Sequence, residues 1–189
     1  ALSADPLANN VAVVNAASAH HVGGGFLTGG RHALEEALCM QSTLYMSLAK
    51  AFSGHPALAS TPGLLEAVPY IPEDGCVVSQ NIVFTRNGSK SGYSSTEKIV
   101  LKAVISVAMP NKNPRVRDSP VDRREGKQYM VLLEKKFETV VRSAMEASCN
   151  VLVIPDCGCG VFGNHPSSVG EVLGKVLCKF GGHFERIVL

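Results

Sequence analysis

Two neighbouring carboxylates, Glu35 and Glu36, stand a short distance after three consecutive glycines, Gly23, Gly24 and Gly25. A carboxyl group can give a proton to a departing oxygen and then, ionised, activate a water; breaking a glycosidic bond needs both acts. A glycine-rich turn running into a helix lets backbone N–H groups approach phosphate oxygens, and the helix dipole adds favourable charge. Adjacent helical residues point about 100° apart, so Glu35 and Glu36 must do different jobs. First-turn carboxylates also complement the helix dipole by ~0.3–1 kcal/mol, so the pair by itself is weak evidence. A second glycine cluster, DCGCGVFGNHP, spans 156–166. Neither cluster is G-x-G-x-x-G or carries the Walker lysine, which argues against dinucleotide and P-loop sites.

The surrounding text supplies elements that could bring the two clusters together. VAVVN at 11–15 reads as a buried strand entering the first glycine loop. One long helix is expected from Arg31 to Phe52, with Leu34, Ala37, Leu38, Leu44, Tyr45 and Leu48 on its apolar face. Residues 53–75 carry four prolines and read as an irregular connection. CVVSQ and IVFTR look like two short strands separated by Asn81, and IVLKAVISVAM at 99–109 like the central strand. The charged stretch 110–127 mixes both signs and is expected to be a solvated loop. A helix over about 128–148 presents Met130, Leu133, Phe137, Val140, Val141 and Met145. VLVIP, the second glycine cluster, a helix at 167–180 and a last strand, ERIVL, complete the chain. Strand, glycine loop and helix thus occur twice, which predicts one α/β domain over 1–189 with its ligand at the carboxyl ends of the strands.

Composition limits the function classes. The 189 residues are 46% hydrophobic and 18% charged, with a net charge of only +2. A core is available, and a bulk basic field for nucleic-acid binding is absent. The longest mainly apolar stretch is far below the ~20 residues a membrane-spanning helix needs. Six scattered cysteines show no C-x-x-C pair, so free thiols in a reducing, cytoplasmic or nuclear setting are expected rather than a metal site. His20 and His21 read as loop polarity. The abrupt ends suggest an excised domain.

The segment NAASAHHVGGGFLTGGRHALEE at 15–36 resembles the signature of the microbial-type poly(ADP-ribose) glycohydrolases, a branch of the macrodomain superfamily. That signature is Gly-Gly-Gly and, after a short spacer, Gln-Glu-Glu; here eight residues separate Gly25 from Leu34. The 156–166 cluster is similar to the family's second phosphate loop, and VISVAMPNKN at 104–113 to its central strand and exit. The resemblance implies a three-layer α/β/α macrodomain with a mixed sheet that binds ADP-ribose. It also implies cleavage of ribose O-glycosidic links in poly(ADP-ribose) or ADP-ribosylated protein, without a cofactor or metal and as a monomer. It implies Glu36 as acid/base, Glu35 orienting the ribose and Asn15 on the ribose hydroxyls. Gly23, Gly24, Gly25 and Phe26, with Gly158, Cys159, Gly160, Val161, Gly163 and Asn164, would hold the diphosphate, and Phe162 would pack beside the reactive ribose.

Two positions depart from the pattern. Leu34 replaces the motif Gln, removing an amide that both donates and accepts hydrogen bonds. Val22 stands where Pro is common and leaves the loop less restrained. The first departure keeps a second reading open, a macrodomain that binds ADP-ribose or a related nucleotide without cleaving it.

Overall fold

The computed structural model describes residues 10–29, 33–54, 69–116 and 119–189. Strand β1 (Val11–Ala16) leads to helices α1 (Leu34–Gln41) and α2 (Leu44–Ser53). Strands β2 (Val77–Arg86) and β3 (Ser95–Val107) form a hairpin, and α3 (Gly126–Glu146), β4 (Val151–Val153), α4 (Pro166–Phe180) and β5 (Arg186–Val188) follow. The sheet order is β2-β3-β1-β4-β5; only the β2–β3 pair is antiparallel. Helices α1 and α2 cover one face and α3 and α4 the other, giving a three-layer, macrodomain-like α/β/α fold with a mixed sheet.

Strand alternation divides the core between the two faces. Ala12, Val14, Ala103, Ile105 and Val107 pack toward α3 and α4 against Leu133, Phe137, Val140 and Val172. Val104 packs toward Leu38, Leu44, Leu48 and Ile82 on the other side. Burying a side chain such as Phe137 contributes roughly 1.5–3 kcal/mol. Among α3's expected apolar residues, Met130 and Met145 are only partly buried, whereas Tyr129, Leu132 and Lys136 are buried.

The helix expected from Arg31 to Phe52 is two helices, and Arg31 itself lies outside the described residues. Periodicity runs across the break, but Ser42 is extended and bridges Phe84 of β2. Thr43 N–H donates to Val83 O at 3.0 Å, and Val83 N–H donates back to Thr43 Oγ1 at 3.1 Å. The Ser42 hydroxyl donates to Leu38 O at 2.7 Å. Hydroxyl side chains offer the backbone partners outside the helix, and the edge of β2 takes up the rest.

CVVSQ and IVFTR are likewise one strand. Asn81 passes through φ 55°, a region asparagine tolerates, without breaking register with β3. The centre of the sheet is β1 rather than β3. Because β1 pairs only with Ala103–Val107, the first half of β3 stays largely exposed, and burial on both faces is confined to its last residues. Most of the proline-rich connection, 55–68, lies outside the described residues. No helix among the described residues is long and apolar enough to cross a membrane.

Candidate active site

The carboxyl ends of β1, β3 and β4 lie at one edge of the sheet, and the two glycine loops leave β1 and β4 there. Between them opens a cavity of about 640 Å³, within the ~300–1,000 Å³ typical of small-molecule sites. Gly24, Gly25, Glu35, Glu36, Gly158, Gly160, Val161 and Phe162 line it.

The first loop is wound as successive turns. Gly24 N–H donates to His21 O at 3.0 Å and Phe26 N–H to Gly23 O at 3.0 Å. Its position against α1 is fixed by the two carboxylates. Gly25 N–H donates to Glu36 Oε1 at 2.8 Å, Ala33 N–H to Glu36 Oε2 at 3.1 Å, and Ser18 N–H to Glu35 Oε2 at 2.8 Å. Glu36 therefore closes half of a capping box at the start of α1 while gripping the glycine loop. Gly24 has φ 58°, and a Cβ there would meet Glu36 Oε1 at 2.5 Å, so only glycine fits between loop and carboxylate.

Hydrogen bonding separates the two acids. Both are buried, at 4% and 8% exposed, but Glu36 is held by the Gly25 and Ala33 amides and Glu35 by the Ser18 amide. Burial pushes the proton affinity of Glu35 up to about 8; the Ser18 amide opposes this, the Glu36 charge adds to it, and the Asn15 and Gly23 hydrogen bonds lower it. Glu35 is thus largely protonated at neutral pH. Burial, then the charges of Glu35 and Glu36, push the Cys39 thiol up to about 12, so it stays protonated behind them.

The second loop is held from within. Asn164 Nδ2 donates to Pro110 O at 2.8 Å and Gly158 O at 2.9 Å, while its Oδ1 accepts from Tyr129 OH at 2.7 Å. Lys112 N–H donates to Phe162 O at 2.7 Å and Asn113 Nδ2 to Val161 O at 2.9 Å, tying the loop to the exit of β3. Gly158 has φ 77°, and a Cβ would strike Asn164 Nδ2 at 2.6 Å and Met109 Cβ at 2.7 Å. Among the described residues the N–H groups of Gly158, Gly160, Val161 and Phe162 have no protein acceptor. They present unpaired donors at a cavity wall, an arrangement that suits an anion.

Six of the residues singled out in the sequence do not line the cavity: Asn15, Gly23, Phe26, Cys159, Gly163 and Asn164. Asn164 spends its amide inside the protein, as above. Asn15 is fully buried and its Nδ2 donates to Ser106 Oγ across the β1–β3 pair at 3.0 Å. Phe26 packs on Tyr45 with ring centroids 4.9 Å apart. Conversely, Ser18, Met109, Arg115, Val116 and Asp156 line the cavity without having been singled out. Only Asp156 had a readable signal, its place between a strand and the second glycine cluster.

The stretch 110–127 is more than a solvated loop. Arg124 Nη2 pairs with Glu73 at 2.5 Å and Asp122 at 2.6 Å, and Lys112 Nζ lies 3.7 Å from Asp122. Asp122 is nearly buried because oppositely charged neighbours surround it; burial would raise its proton affinity, but the Arg124 hydrogen bonds outweigh that and hold it low. Among the described residues no group of three His, Cys, Asp or Glu side chains is gathered as a metal site requires, and all six cysteines are free.

A three-layer sheet with two glycine loops converging on a carboxylate pair defines a macrodomain-like protein. Residues 1–87 match the family model for the microbial-type PARG catalytic domain. The chain is similar to the crystal structure of poly(ADP-ribose) glycohydrolase from Thermomonospora curvata, at 29% identity and a TM-score of 0.76, covering 96% of this chain and 62% of that one. The same bacterial protein bound to the inhibitor ADP-HPD matches equally, with 64% of its length covered. Poly(ADP-ribose) glycohydrolase from Deinococcus radiodurans in complex with ADP-ribose is 26% identical, with a TM-score of 0.70 over 96% of this chain and 68% of that one. The chain thus spans less than two thirds of the length of the Thermomonospora structures it resembles. No curated protein sequence matches it at a significant level.

Proposed function

We propose that this chain is an ADP-ribosyl glycohydrolase acting on O-glycosidic ribose links of poly(ADP-ribose) or ADP-ribosylated protein. The observation that carries this reading is the placement of Glu36. Its carboxylate is fixed by two backbone amides at the wall of a cavity whose opposite wall offers unpaired N–H groups. A diphosphate would lie on the Gly158–Phe162 amides, with the ribose to be cleaved against Glu35, Glu36 and Phe162.

Burial keeps a proton on Glu35 at neutral pH, so its carboxyl can donate a hydrogen bond to the ribose. In the proposed cycle Glu36 gives a proton to the departing oxygen as the ribose C1″–O bond breaks. The ionised carboxylate steadies the oxocarbenium-like centre; a water then adds to C1″ and returns a proton to Glu36. Glu36 is the acid/base, Glu35 holds and orients the ribose, and Asn15 acts on it through Glu35. Leu34 favours the rival reading, a macrodomain that binds without cleaving.

The test is release of free ADP-ribose from poly(ADP-ribose), followed by chromatography, for wild type and Glu36→Gln. Wild type should release ADP-ribose and the variant should be slower by about 10²–10⁴-fold. ADP-ribose binding in a calorimeter with no release from wild type would establish the non-cleaving reading instead.

A further inference from the structure

Tyr70 is a buried titratable group that the proposed cycle leaves unused. It is 3% exposed, and its hydroxyl has no hydrogen-bond partner among the described residues. Buried phenols ordinarily have one. The ring stands nearly edge-on to Phe52, with centroids 6.0 Å apart, and packs in one cluster with Ala17, Leu38 and Cys39. Cys39 comes four residues after Glu35, one turn along the same face of α1. Tyr70 therefore packs against the face of α1 that carries Glu35. Burial, then the charges of Glu35 and Cys39, push the phenol's proton affinity up, so it keeps its O–H at neutral pH.

Glu35 has the matching need. Its Oε2 accepts from the Ser18 amide at 2.8 Å, while its Oε1 is buried with no partner among the described residues. Asn15 Oδ1, from β1, is a third buried oxygen without one. An amide oxygen only accepts, so of the three the phenol alone is a donor whatever the charge on Glu35. The other groups facing Glu35 are Glu36 and Cys39 on α1, the Asn15 side chain and the Gly23 amide. The segment that carries Tyr70 is anchored on two sides. Tyr70 N–H donates to Ala19 O at 2.8 Å, next to Ser18. Three residues on, Glu73 accepts from Arg124 Nη2 at 2.5 Å and its carbonyl from Lys136 Nζ, and Asp74 O accepts from Thr139 Oγ1 at 3.0 Å. Residues 69–75 are thus fixed to the first glycine loop at one end and to α3 at the other, which holds the phenol against α1.

We propose that Tyr70 is a positioning residue of the candidate site: its phenol donates to Glu35 Oε1, directly or through one buried water, and so fixes the carboxyl that orients the ribose. The inference rests on the reading given under Proposed function. With Ser18 on one oxygen and Tyr70 on the other, the carboxyl cannot turn about its last bond. An oxygen that accepts from the phenol is also the less ready to carry the acid proton, which is therefore kept on Oε2. That oxygen lies beside Gly24 at the cavity wall, where a ribose hydroxyl can accept from it.

The experiment uses Tyr70→Phe, which removes only the hydroxyl. Release of ADP-ribose from poly(ADP-ribose) should show kcat lowered by roughly 10- to 100-fold, with KM within about twofold, because the ribose is bound but poorly aligned. A hydrogen bond donated to a carboxylate favours its ionised form, so losing it should raise the proton affinity of Glu35 and move the fall in Tm to higher pH. In a Glu35→Gln background, which has no proton to lose there, the same change should leave the pH profile of Tm where it was. A crystal structure of the wild type should place the phenol oxygen within hydrogen-bond reach of Glu35 Oε1 or one water away, which serves if the variant folds poorly. An unmoved or lowered pH profile, or a phenol out of reach, would overturn the contact; a moved profile with unchanged kcat would overturn the positioning role. No release from wild type would instead overturn the underlying reading, and the melting profiles would still decide the contact.

Discussion

Gly24 and Glu36 are interlocked: a single added carbon on Gly24 would sit 2.5 Å from Glu36 Oε1, so the loop can close only because that carbon is missing. Loop and carboxylate are therefore one mechanical unit, although Glu36 comes eleven positions after Gly25 in the sequence.

Gly24→Ala should consequently damage the site and the fold together. The left-handed backbone alone costs about 1–3 kcal/mol for a non-glycine residue, and the clash adds displacement of Glu36. Thermal unfolding should show a lowered Tm and ADP-ribose release should drop at least tenfold. Gly160→Ala, where an added Cβ meets no atom within 4 Å and φ is not positive, should leave Tm unchanged.

Stability should fall as pH rises. Glu35 goes from an ordinary value of 4.5 to about 8 on folding. Between those values the folded state binds a proton that the unfolded state has released, so each pH unit lowers unfolding free energy by about 1.4 kcal/mol at most. The neutral acid's stability is fully present below pH 4.5 and lost as pH passes about 8. Melting curves from pH 5 to 9 should show this decline, and Glu35→Gln should flatten it; an unchanged slope in the variant would assign the decline to other groups.

Asn164→Ala should leave Tyr129 OH and Pro110 O without their partner, at about 1–3 kcal/mol for each buried group orphaned. The Gly158–Phe162 amides would lose their scaffold. Calorimetry should record weaker ADP-ribose binding, and the loss should exceed that in Cys159→Ala, whose thiol makes only a 3.9 Å contact with Cys157 O.

Leu34→Gln reinstates the amide of the family motif at a position that lines the cavity. If the missing amide limits turnover, ADP-ribose release by the variant should rise severalfold over wild type, with Tm within a degree or two. A faster variant would mark residue 34 as a tuning position; no change would place the rate limit elsewhere.

Much of the architecture was legible because hydrophobic periodicity and glycine punctuation are local signals. The buried strands at β1 and β4, the helices α3 and α4 and the doubled strand–loop–helix pattern follow from them. The break at Ser42 and Thr43 was not, because what ends α1 is the edge of β2, some 40 residues on. The candidate site was legible where backbone makes it, at Gly24, Gly25, Gly158 and Gly160. It was obscure where a side chain's role depends on what surrounds it: Asn164 reads as a ligand contact and is a brace, and Lys136 reads as one more surface cation on an amphipathic helix and is buried. Glu35 and Glu36 point in different directions on paper, but only their amide partners show which backbone each one holds.

The rung between Asn15 and Ser106 has a consequence for how the protein checks itself during folding. The two residues face each other in the β1–β3 register on the face that carries α1. A one-residue slip would exchange the faces of the whole strand, turning the Asn15 amide into the hydrocarbon around Phe137 and moving Val14 opposite polar Ser106. Misregistered chains would thus be disfavoured by the same amide that contacts Glu35, so a molecule that has closed its sheet has already set one wall of the candidate site.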